Sequence, residues 1–247
     1  IGTFFANSHL SLRQIFGLMY YWAREEDSIK QLSHELKVLS KHTIIDWRNF
    51  CRDICAIHYV NNPQRIGGPE HIVEIDESCF GKRKYQRGRL LKTQWVFGSI
   101  DINTRKCFLV PVDQRDATTL LPIIEEYVLP GNADAICDLS NQIMYFFILG
   151  TTIHSDEWRA YNALRNNPDY IHLTVNHSIS FVNPNTGVHT QNIENTWMLA
   201  KRKHKKQGGF NRHLLQTYLE EFMWRQEFGD EPLKNLVLQI NSLHPVQ

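Results

Sequence analysis

No stretch of about 18 apolar residues without a charge occurs in the sequence, which excludes a predicted membrane-spanning helix. The chain also opens without the basic, apolar and small-residue pattern of a secretory signal peptide. Cysteine is scarce and odd in number, with five residues scattered along the chain. This usage indicates a reducing compartment rather than a disulfide framework. Because the first residue is Ile1 and not Met, we interpret the sequence as a fragment that lacks an N-terminal segment.

Neither sign of charge is in excess, since 27 Lys and Arg residues accompany 26 Asp and Glu residues. The net charge of +1 therefore gives no argument for a nucleic-acid partner, and only the distribution of charge could provide one. The 247 residues suffice for one large domain, or for a core with a small accessory domain. Cys51 and Cys55 lie one helical turn apart, but no second ligand pair is near, so we favour buried thiols over a zinc site.

Residues 1–60 are predicted to be helical and to resemble a helix-turn-helix. Ser11, Ser28 and Ser40 each precede an amphipathic stretch and are suitable N-caps. The third helix could present four polar side chains to DNA, namely Lys41, His42, Arg48 and Asn49. The alternative is a small helical bundle that packs on the main domain, and the sequence leaves both interpretations open.

A linker is predicted at 61–70, and beyond it the pattern changes from helical to strand-like. The remainder is predicted to contain three strands, a helix, a strand, a helix, a strand and two further helices, an order typical of an α/β fold with a mixed sheet. The predicted strands are 71–76, 93–101, 106–112, 151–155 and 171–175, and the predicted helices are 118–129, 157–165, 191–203 and 212–226. We therefore expect a catalytic domain at 71–228 and a C-terminal tail at 229–247.

Three acidic residues suggest a metal site. Asp76 and Asp156 each close a predicted strand, where sites form in open α/β sheets, and Glu194 lies on a predicted helix. On that helix Gln191 and Lys201 share the stripe of Glu194, while Trp197 could anchor the helix in the core. Three carboxylates can hold two Mg²⁺ ions about 4 Å apart for attack on a phosphodiester. Taken singly, each acid is equally typical of a cap, a turn or a solvated helix face.

Basic residues are concentrated in two segments, 81–92 and 201–212, neither of which contains an acidic residue. One segment follows Asp76 and the other follows Glu194, so both adjoin the proposed metal ligands. Phosphate contacts dominate the affinity of proteins for DNA, and this placement therefore favours a nucleic-acid substrate over two solvated charged surfaces. The candidate DNA-binding residues are Lys82, Arg83, Lys84, Arg87, Arg89, Lys201, Arg202 and Lys203.

Four segments together resemble Merlin-type DDE transposases and their bacterial insertion-sequence relatives. They are Ile-Asp-Glu-Ser at 75–78 with the basic run that follows, His-Ser-Asp-Glu-Trp at 154–158, the segment 188–197 followed by Lys201, and 218–225. The resemblance implies a ribonuclease H-like core, with Asp76, Asp156 and Glu194 as catalytic residues that bind two Mg²⁺ or Mn²⁺ ions. His154 and Trp158 would support the site. Some bacterial relatives hold Asn at the place of Gln191 and use it, so Gln191 could also contribute.

The same resemblance implies double-stranded DNA as the partner, both the terminal inverted repeats of a mobile element and the target DNA. It also implies a homo-oligomer, located in the nucleus of a eukaryote or in the bacterial cytoplasm and nucleoid. Family members often carry an N-terminal zinc-binding segment, and none is present here, in agreement with a truncated start.

Residues 132–150 depart from the family pattern, in which a segment like 128–131 runs almost directly into one like 151–154. The additional residues include an apolar run at 143–149, which would promote aggregation if exposed. Our hypothesis is a retained intron or a degenerate copy, and sequencing the spliced transcript tests it.

Three functions fit the sequence. The first is a transposase that nicks DNA at the element ends and joins the freed 3′-hydroxyl to a target. The second is a domesticated or decayed transposase that binds DNA without cutting it. The third is a structure-selective nuclease with the same core, which would form no strand-transfer product.

Overall fold

A computed structural model of the chain describes residues 4–5, 8–80, 93–131, 150–206 and 211–245, without the side chains of residues 203, 204 and 206. The chain divides into two compact units, one made of Ile1–Pro63 with Glu220–Gln247 and the other of Gln64–Leu219. Over the described ranges, no helix has both the length and the apolar character needed to cross a membrane.

The first unit is helical. Its helices are α1 (Leu12–Ala23), α2 (Ile29–Leu36), α3 (Lys41–Asn61), the later turns of α6 (Leu215–Phe228) and α7 (Pro232–Leu243). Ser11, Ser28 and Ser40 are the N-caps of α1, α2 and α3, and each hydroxyl accepts a hydrogen bond from the amide three residues later. These caps satisfy amides that the first helical turn leaves unpaired, which confirms the three predicted helix starts.

The predicted tail at 229–247 is wrong, because it contains α7. Leu236 and Ile240 of this helix belong to the same buried core as Met19 and Cys55. Apolar residues at 233, 236, 237 and 240 have helical spacing, and Pro232 suits a first helical turn, so the signal was present in the sequence.

Arg225 connects the C-terminal motif of the resemblance to the helical unit. Its guanidinium donates hydrogen bonds to the carbonyls of Trp22 and Ala23, at 3.0 and 3.1 Å, and so satisfies the C-terminal end of α1. The group lies 4.2 Å from the centre of the Trp22 ring and 2.9 Å from Glu221. Glu221 also accepts a hydrogen bond from Arg52 at 3.2 Å. The motif at 218–225 therefore contributes an ion-pair network to the helical unit.

Of the residues considered for DNA contact in α3, Lys41 and His42 are exposed. Arg48 pairs with Asp27 at 2.7 Å, and Asn49 accepts a hydrogen bond from Arg52. Within the described part of this unit, Arg48 and Asn49 are therefore held by internal contacts, whereas the side chains of Lys41 and His42 are exposed.

The second unit is built on a five-stranded sheet. Its strands are β2 (Ile72–Phe80), β3 (Gln94–Asp101), β4 (Cys107–Val112), β6 (Thr151–Asp156) and β7 (Tyr170–Val175). Their order across the sheet is β4-β3-β2-β6-β7. β2, β3 and β4 form an antiparallel meander, whereas β6 pairs parallel with β2 and β7 pairs parallel with β6. A meander extended by two parallel strands and flanked by helices is ribonuclease H-like, so the predicted fold class is confirmed.

Two helices contact this sheet from the chain segments after β6 and β7. A 3-10 helix, Arg159–Asn166, packs on β7 and on α4 (Ala117–Tyr127), and α5 (Gln191–Lys206) packs on β2 and β3. α4 ends at Tyr127 rather than at residue 129, because Val128 and Leu129 form the short strand β5. β5 pairs with β1 (Ile66–Gly67), so part of the expected 61–70 linker is sheet.

Gly131 and Gly150 lie against each other on either side of residues 132–149. A Cβ atom built on Gly131 would come within 2.5 Å of the Gly150 Cα atom. The Gly131 amide also donates a hydrogen bond to the Asp169 carbonyl at 2.7 Å. The described chain thus reaches nearly the same point before and after the additional segment, which itself lies outside the described residues.

Candidate active site

Asp76 and Asp156 lie on neighbouring strands. β2 and β6 pair in parallel as far as Glu74 and His154, and each aspartate lies two residues beyond this last pair. The charge of Asp156 acts on Asp76 and raises its pKa. Side chains two residues apart on a strand share one face, and neighbouring strands are about 4.8 Å apart. The sheet therefore brings together two acids that are 80 residues apart in sequence.

Asp76 is not at a strand end, as the sequence indicated, but in the middle of β2. The strand continues to Phe80 because it pairs with β3 as far as Gln94. Asp156, in contrast, is the last residue of β6, as predicted. Asp76 consequently lies two residues beyond the last residue of β2 that pairs with β6.

The Asp76 carboxylate is largely buried beneath α5. Burial raises the pKa of Asp76 to about 6. The charges of Asp156 and Glu194 raise this pKa further, whereas hydrogen bonds from the Glu77 backbone and from Trp197 lower it. The Trp197 indole donates to Asp76 Oδ2 at 3.0 Å. Negative charge is thus concentrated at one point of the sheet, and all three predicted ligands contribute to it.

Trp197 anchors α5 as predicted, and it is only 5% exposed. Its ring occupies the space above Gly98, the residue that pairs with Asp76 on β3. A Cβ atom at Gly98 would lie 2.4 Å from Trp197 Cη2, so the ring requires glycine at this position. The absence of a side chain on β3 therefore allows the indole to reach Asp76 on β2.

Glu194 lies in the first turn of α5, with its side chain 50% exposed. Its Oε1 atom accepts a hydrogen bond from the Thr190 hydroxyl at 3.4 Å and lies 3.8 Å from His177 Nε2. The Thr190 hydroxyl is also 2.9 Å from His177 Nε2. Thr190 and His177 thus support the third acid, and neither was expected from the sequence.

The second acid is held by the residues that follow it. The backbone amide of Trp158 donates to Asp156 Oδ1 at 2.9 Å, and the Trp158 indole donates to the Arg115 carbonyl at 3.1 Å. The Arg115 guanidinium lies 5.1 Å from the Trp158 ring centre and 3.8 Å from that of Trp95. Trp158 is therefore placed to orient Asp156.

The other two supporting candidates differ in their surroundings. The side chain of Gln191 is exposed, whereas His154 is 9% exposed. Burial lowers the pKa of His154 to about 4, and the nearby His189 adds to this effect, so His154 is neutral at pH 7.

Two further acids on β2, Glu74 and Glu77, were missed by the sequence interpretation. Glu74 shares the face of Asp76 and binds the start of α5. Glu77 points to the opposite face, where the Tyr161 hydroxyl donates a hydrogen bond to it. Burial raises the pKa of Glu77 to about 7, opposed by the Tyr161 hydrogen bond. The sequence shows that acids stand at positions 74, 76 and 77, but it does not show which residues each of them contacts.

Few of the predicted DNA-binding residues can be placed. Lys82, Arg83, Lys84, Arg87 and Arg89 lie outside the described residues, as does the side chain of Lys203. Arg202 is exposed. Lys201 donates to the Ser78 hydroxyl at 2.6 Å and lies 5.0 Å from the Phe80 ring centre. Burial lowers the pKa of Lys201. Its hydrogen bond to Ser78 joins α5 to β2.

Asp76 and Asp156 have the chemistry of a divalent-cation site, since Mg²⁺ prefers carboxylate oxygens and would offset their mutual repulsion. Across the described ranges, however, no group of three or more His, Cys, Asp or Glu residues is arranged to hold a metal ion. The three-carboxylate site expected from the sequence is therefore not assembled among the described residues, and Asp76 and Asp156 are the two of its acids that lie on adjacent strands.

Comparison with known proteins places these residues in a family context. Residues 138–227, which include Asp156 and Glu194, match the family model of the ISXO2-like transposase domain. A transposase-like protein of Haemophilus influenzae is 28% identical over 56% of this chain and 93% of its own length. A protein of the transposable element ISH50 of Halobacterium salinarum is 27% identical over 96% of this chain and 78% of its own. The chain is similar to insertion-sequence transposases. The resemblance expected from the sequence motifs is thereby confirmed.

Two solved structures that are similar to this chain are an integrase core domain and a strand transfer complex. The catalytic core domain of HTLV-2 integrase, in complex with magnesium, is 12% identical over 64% of this chain and 86% of its own, with a TM-score of 0.36. The Mos1 strand transfer complex is 11% identical over 94% of this chain and 78% of its own, with a TM-score of 0.29. At these TM-scores we base the fold on the strand order and not on the superpositions.

Proposed function

We propose that the chain is a transposase that cuts DNA at the terminal inverted repeats of a mobile element and joins the cut ends to a target. The observation that carries the proposal is the place of Asp76 and Asp156, each two residues beyond the last pair of the adjacent parallel strands β2 and β6, beside a helix that bears Glu194. The family relationship supports transposition, and the sheet provides a site with the charge that phosphodiester chemistry requires.

In this proposal Asp76, Asp156 and Glu194 are the catalytic residues that hold two Mg²⁺ or Mn²⁺ ions. When bound, such ions activate a water or hydroxyl nucleophile and stabilise the leaving oxygen. The carboxylates supply oxygen ligands, and Trp197 and the Trp158 amide keep Asp76 and Asp156 in place. Water attacks the phosphorus and the bond to the 3′ oxygen breaks, which leaves a 5′-phosphate and a free 3′-hydroxyl. This hydroxyl gives up its proton and attacks a phosphodiester of the target. A new phosphorus–oxygen bond forms there as the bond to the target's own 3′ oxygen breaks, and that oxygen leaves as a hydroxyl.

DNA is the proposed partner, and the exposed Arg202 and the basic segment 81–92 are the proposed phosphate contacts. A homo-oligomer would hold the two ends of the element together. The helical unit remains a second proposed DNA-binding region, through the exposed Lys41 and His42.

The test is cleavage of a labelled inverted-repeat duplex in Mg²⁺ by the wild-type chain and by Asp76→Asn and Asp156→Asn. We expect both variants to lose cleavage and to keep their affinity for the duplex. Asp113→Asn is the matched control, because Asp113 is an exposed acid of the same unit that is not among the proposed ligands. Equal cleavage by Asp76→Asn and wild type would contradict the assignment of the ligands.

A domesticated or decayed transposase that only binds DNA is the second candidate. The observation in its favour is that no group of three or more His, Cys, Asp or Glu residues in the described ranges is arranged to hold a metal ion, while Glu194 is half-exposed and bonded to Thr190. Wild-type protein that binds the duplex but cuts nothing in Mg²⁺ or Mn²⁺ would establish this candidate over the first. Cleavage without a strand-transfer product would instead indicate a nuclease.

A further inference from the structure

Glu74 is an acid with no access to solvent that lies two residues before Asp76 on the same face of β2. Both of its carboxylate oxygens are used by the first turn of α5. Oε1 accepts a hydrogen bond from the Asn192 side chain at 2.7 Å, and Oε2 accepts one from the Ile193 amide at 2.9 Å. Because both oxygens are occupied within the protein, Glu74 is not available as a metal ligand or a general base.

The bond to Ile193 replaces an ordinary helix cap. Thr190 precedes α5, and its carbonyl accepts the first helical hydrogen bond from the Glu194 amide at 3.1 Å. A threonine in this position usually uses its hydroxyl to accept from the amide two or three residues later. Here Glu74 takes that amide instead. The Thr190 hydroxyl is thereby left to contact Glu194 and His177.

Glu74 is also the first of three contacts that lay α5 along β2. Glu74, Asp76 and Ser78 project from one face of the strand, and their partners on the helix are Ile193, Trp197 and Lys201. Two strand residues advance about 6.6 Å and four helix residues advance about 6.0 Å, so the two series stay in step. A change at Glu74 therefore acts on the end of the helix where Glu194 lies.

Asn192 makes the anchor specific. Its side-chain carbonyl accepts a hydrogen bond from Arg105 at 2.8 Å, while its side-chain NH₂ donates to Glu74. The two partners allow only one orientation of the amide, since a carboxylate cannot donate and a guanidinium cannot accept. The start of α5 is consequently tied both to β2 and to the turn between β3 and β4.

We propose that Glu74 is a positioning residue, whose buried carboxylate replaces the N-cap of α5 and so sets the place of Glu194 relative to Asp76. The proposal rests on the proposed function, in which Glu194 acts with the two aspartates. It assigns to Glu74 a role through the helix end and not through contact with the substrate.

An exchange of charge tests the pairing. Glu74 Oε1 also lies 3.3 Å from His189 Nδ1. In Glu74→Gln a single carbonyl oxygen replaces two carboxylate oxygens, so the introduced NH₂ group faces either the Ile193 amide or the side chains of Asn192 and His189. In Asn192→Asp two carboxylates meet, so each single variant should misplace the helix start. In the double variant the introduced glutamine can accept from the Ile193 amide and donate to the introduced aspartate, which can still accept from Arg105. We expect a rate constant for cleavage about 10- to 100-fold lower in each single variant and within about threefold of wild type in the double variant.

Two further measurements and one control variant separate positioning from general loss of structure. The affinity for DNA without divalent metal should stay within about twofold of wild type in all variants. Amide hydrogen exchange should quicken in peptides from 188–196 of the single variants and return to normal in the double variant. Glu221→Gln is the matched control, because it removes a buried charge from the helical unit and should leave the cleavage rate constant unchanged well below its melting temperature.

Glu74→Gln with wild-type cleavage and wild-type exchange would overturn the positioning role and leave the transposase proposal intact. Slow single variants with an equally slow double variant would overturn it as well. If wild-type protein does not cleave DNA, the proposed function fails, and the exchange of 188–196 alone decides whether Glu74 anchors the helix. If Glu74→Gln does not fold, Asn192→Ala takes its place, and unchanged exchange and cleavage in that variant would refute the anchor.

Discussion

Removal of residues 132–149 should leave the fold intact and make it more stable. The Cβ position of Gly131 is 2.5 Å from the Gly150 Cα atom. Since a Cα–Cβ bond is about 1.5 Å, the two Cα atoms are at most about 4.0 Å apart, and consecutive residues are about 3.8 Å apart. One peptide bond can therefore join Gly131 to Gly150 in place of 18 residues.

The expected gain follows from the entropy of closing the loop. By the logarithmic dependence on length, closing a flexible loop of 18 residues costs about 2.5 kcal/mol. The deletion should thus raise the free energy of unfolding by up to about 2.5 kcal/mol. It should also reduce aggregation, because the apolar run 143–149 is removed.

Urea denaturation followed by circular dichroism measures the effect, with retained cleavage as a second readout. The control replaces 132–149 by a Gly/Ser linker of the same length, and its stability should stay within about 0.5 kcal/mol of wild type. The match to the ISXO2-like transposase domain begins at residue 138, so the deletion also tests whether 138–149 are required. A deletion variant that fails to fold, or loses more than about 1 kcal/mol, would refute the argument from the adjoining glycines.

Three other substitutions test particular contacts. Gly98→Ala should lower the free energy of unfolding by about 1–3 kcal/mol, because the new methyl group would overlap Trp197, and urea denaturation measures this. Arg225→Met should cost about 1–3 kcal/mol in the same assay, since it removes the hydrogen bonds to the carbonyls of Trp22 and Ala23 and to Glu221, which Arg52 still pairs with. His172 has its pKa lowered to about 4, mainly by burial, so the folded chain binds fewer protons than the unfolded chain between about pH 6.5 and 4 and loses stability as the pH falls through that range. Between pH 7 and pH 4.5, the free energy of unfolding should fall by about 1–2 kcal/mol less in His172→Gln than in wild type, after allowance for partial exposure of the ring.

Each of these substitutions has an outcome that would contradict it. Unchanged stability and unchanged indole fluorescence in Gly98→Ala would show that Trp197 does not require the glycine. Lys234→Met is the control for Arg225→Met, because its ion pair with Glu231 is exposed and should contribute less than about 1 kcal/mol. A His172→Gln variant with the same pH dependence as wild type would show that this ring does not titrate as described.

Short-range features of the chain were readable without coordinates. The serine caps at 11, 28 and 40 depend on a hydroxyl and an amide three residues apart, so the sequence contains both partners. The strands and the helix of Glu194 follow from apolar periodicity, which reports on the face each element buries. Even the helix at the C-terminal end had its periodic signal, and only its interpretation as a tail was wrong.

The site depended on relations that no local pattern contains. Asp76 lies beside Asp156 because β2 and β6 are neighbours in one register, and a shift by one residue would turn one of the acids to the other face. Gly98 makes room for Trp197, and Glu74 caps a helix that begins more than a hundred residues later. Sequence spacing determines which side chains share a strand or a helix face, whereas only the packing of distant segments decides which faces meet, because burial and hydrogen bonding act through space.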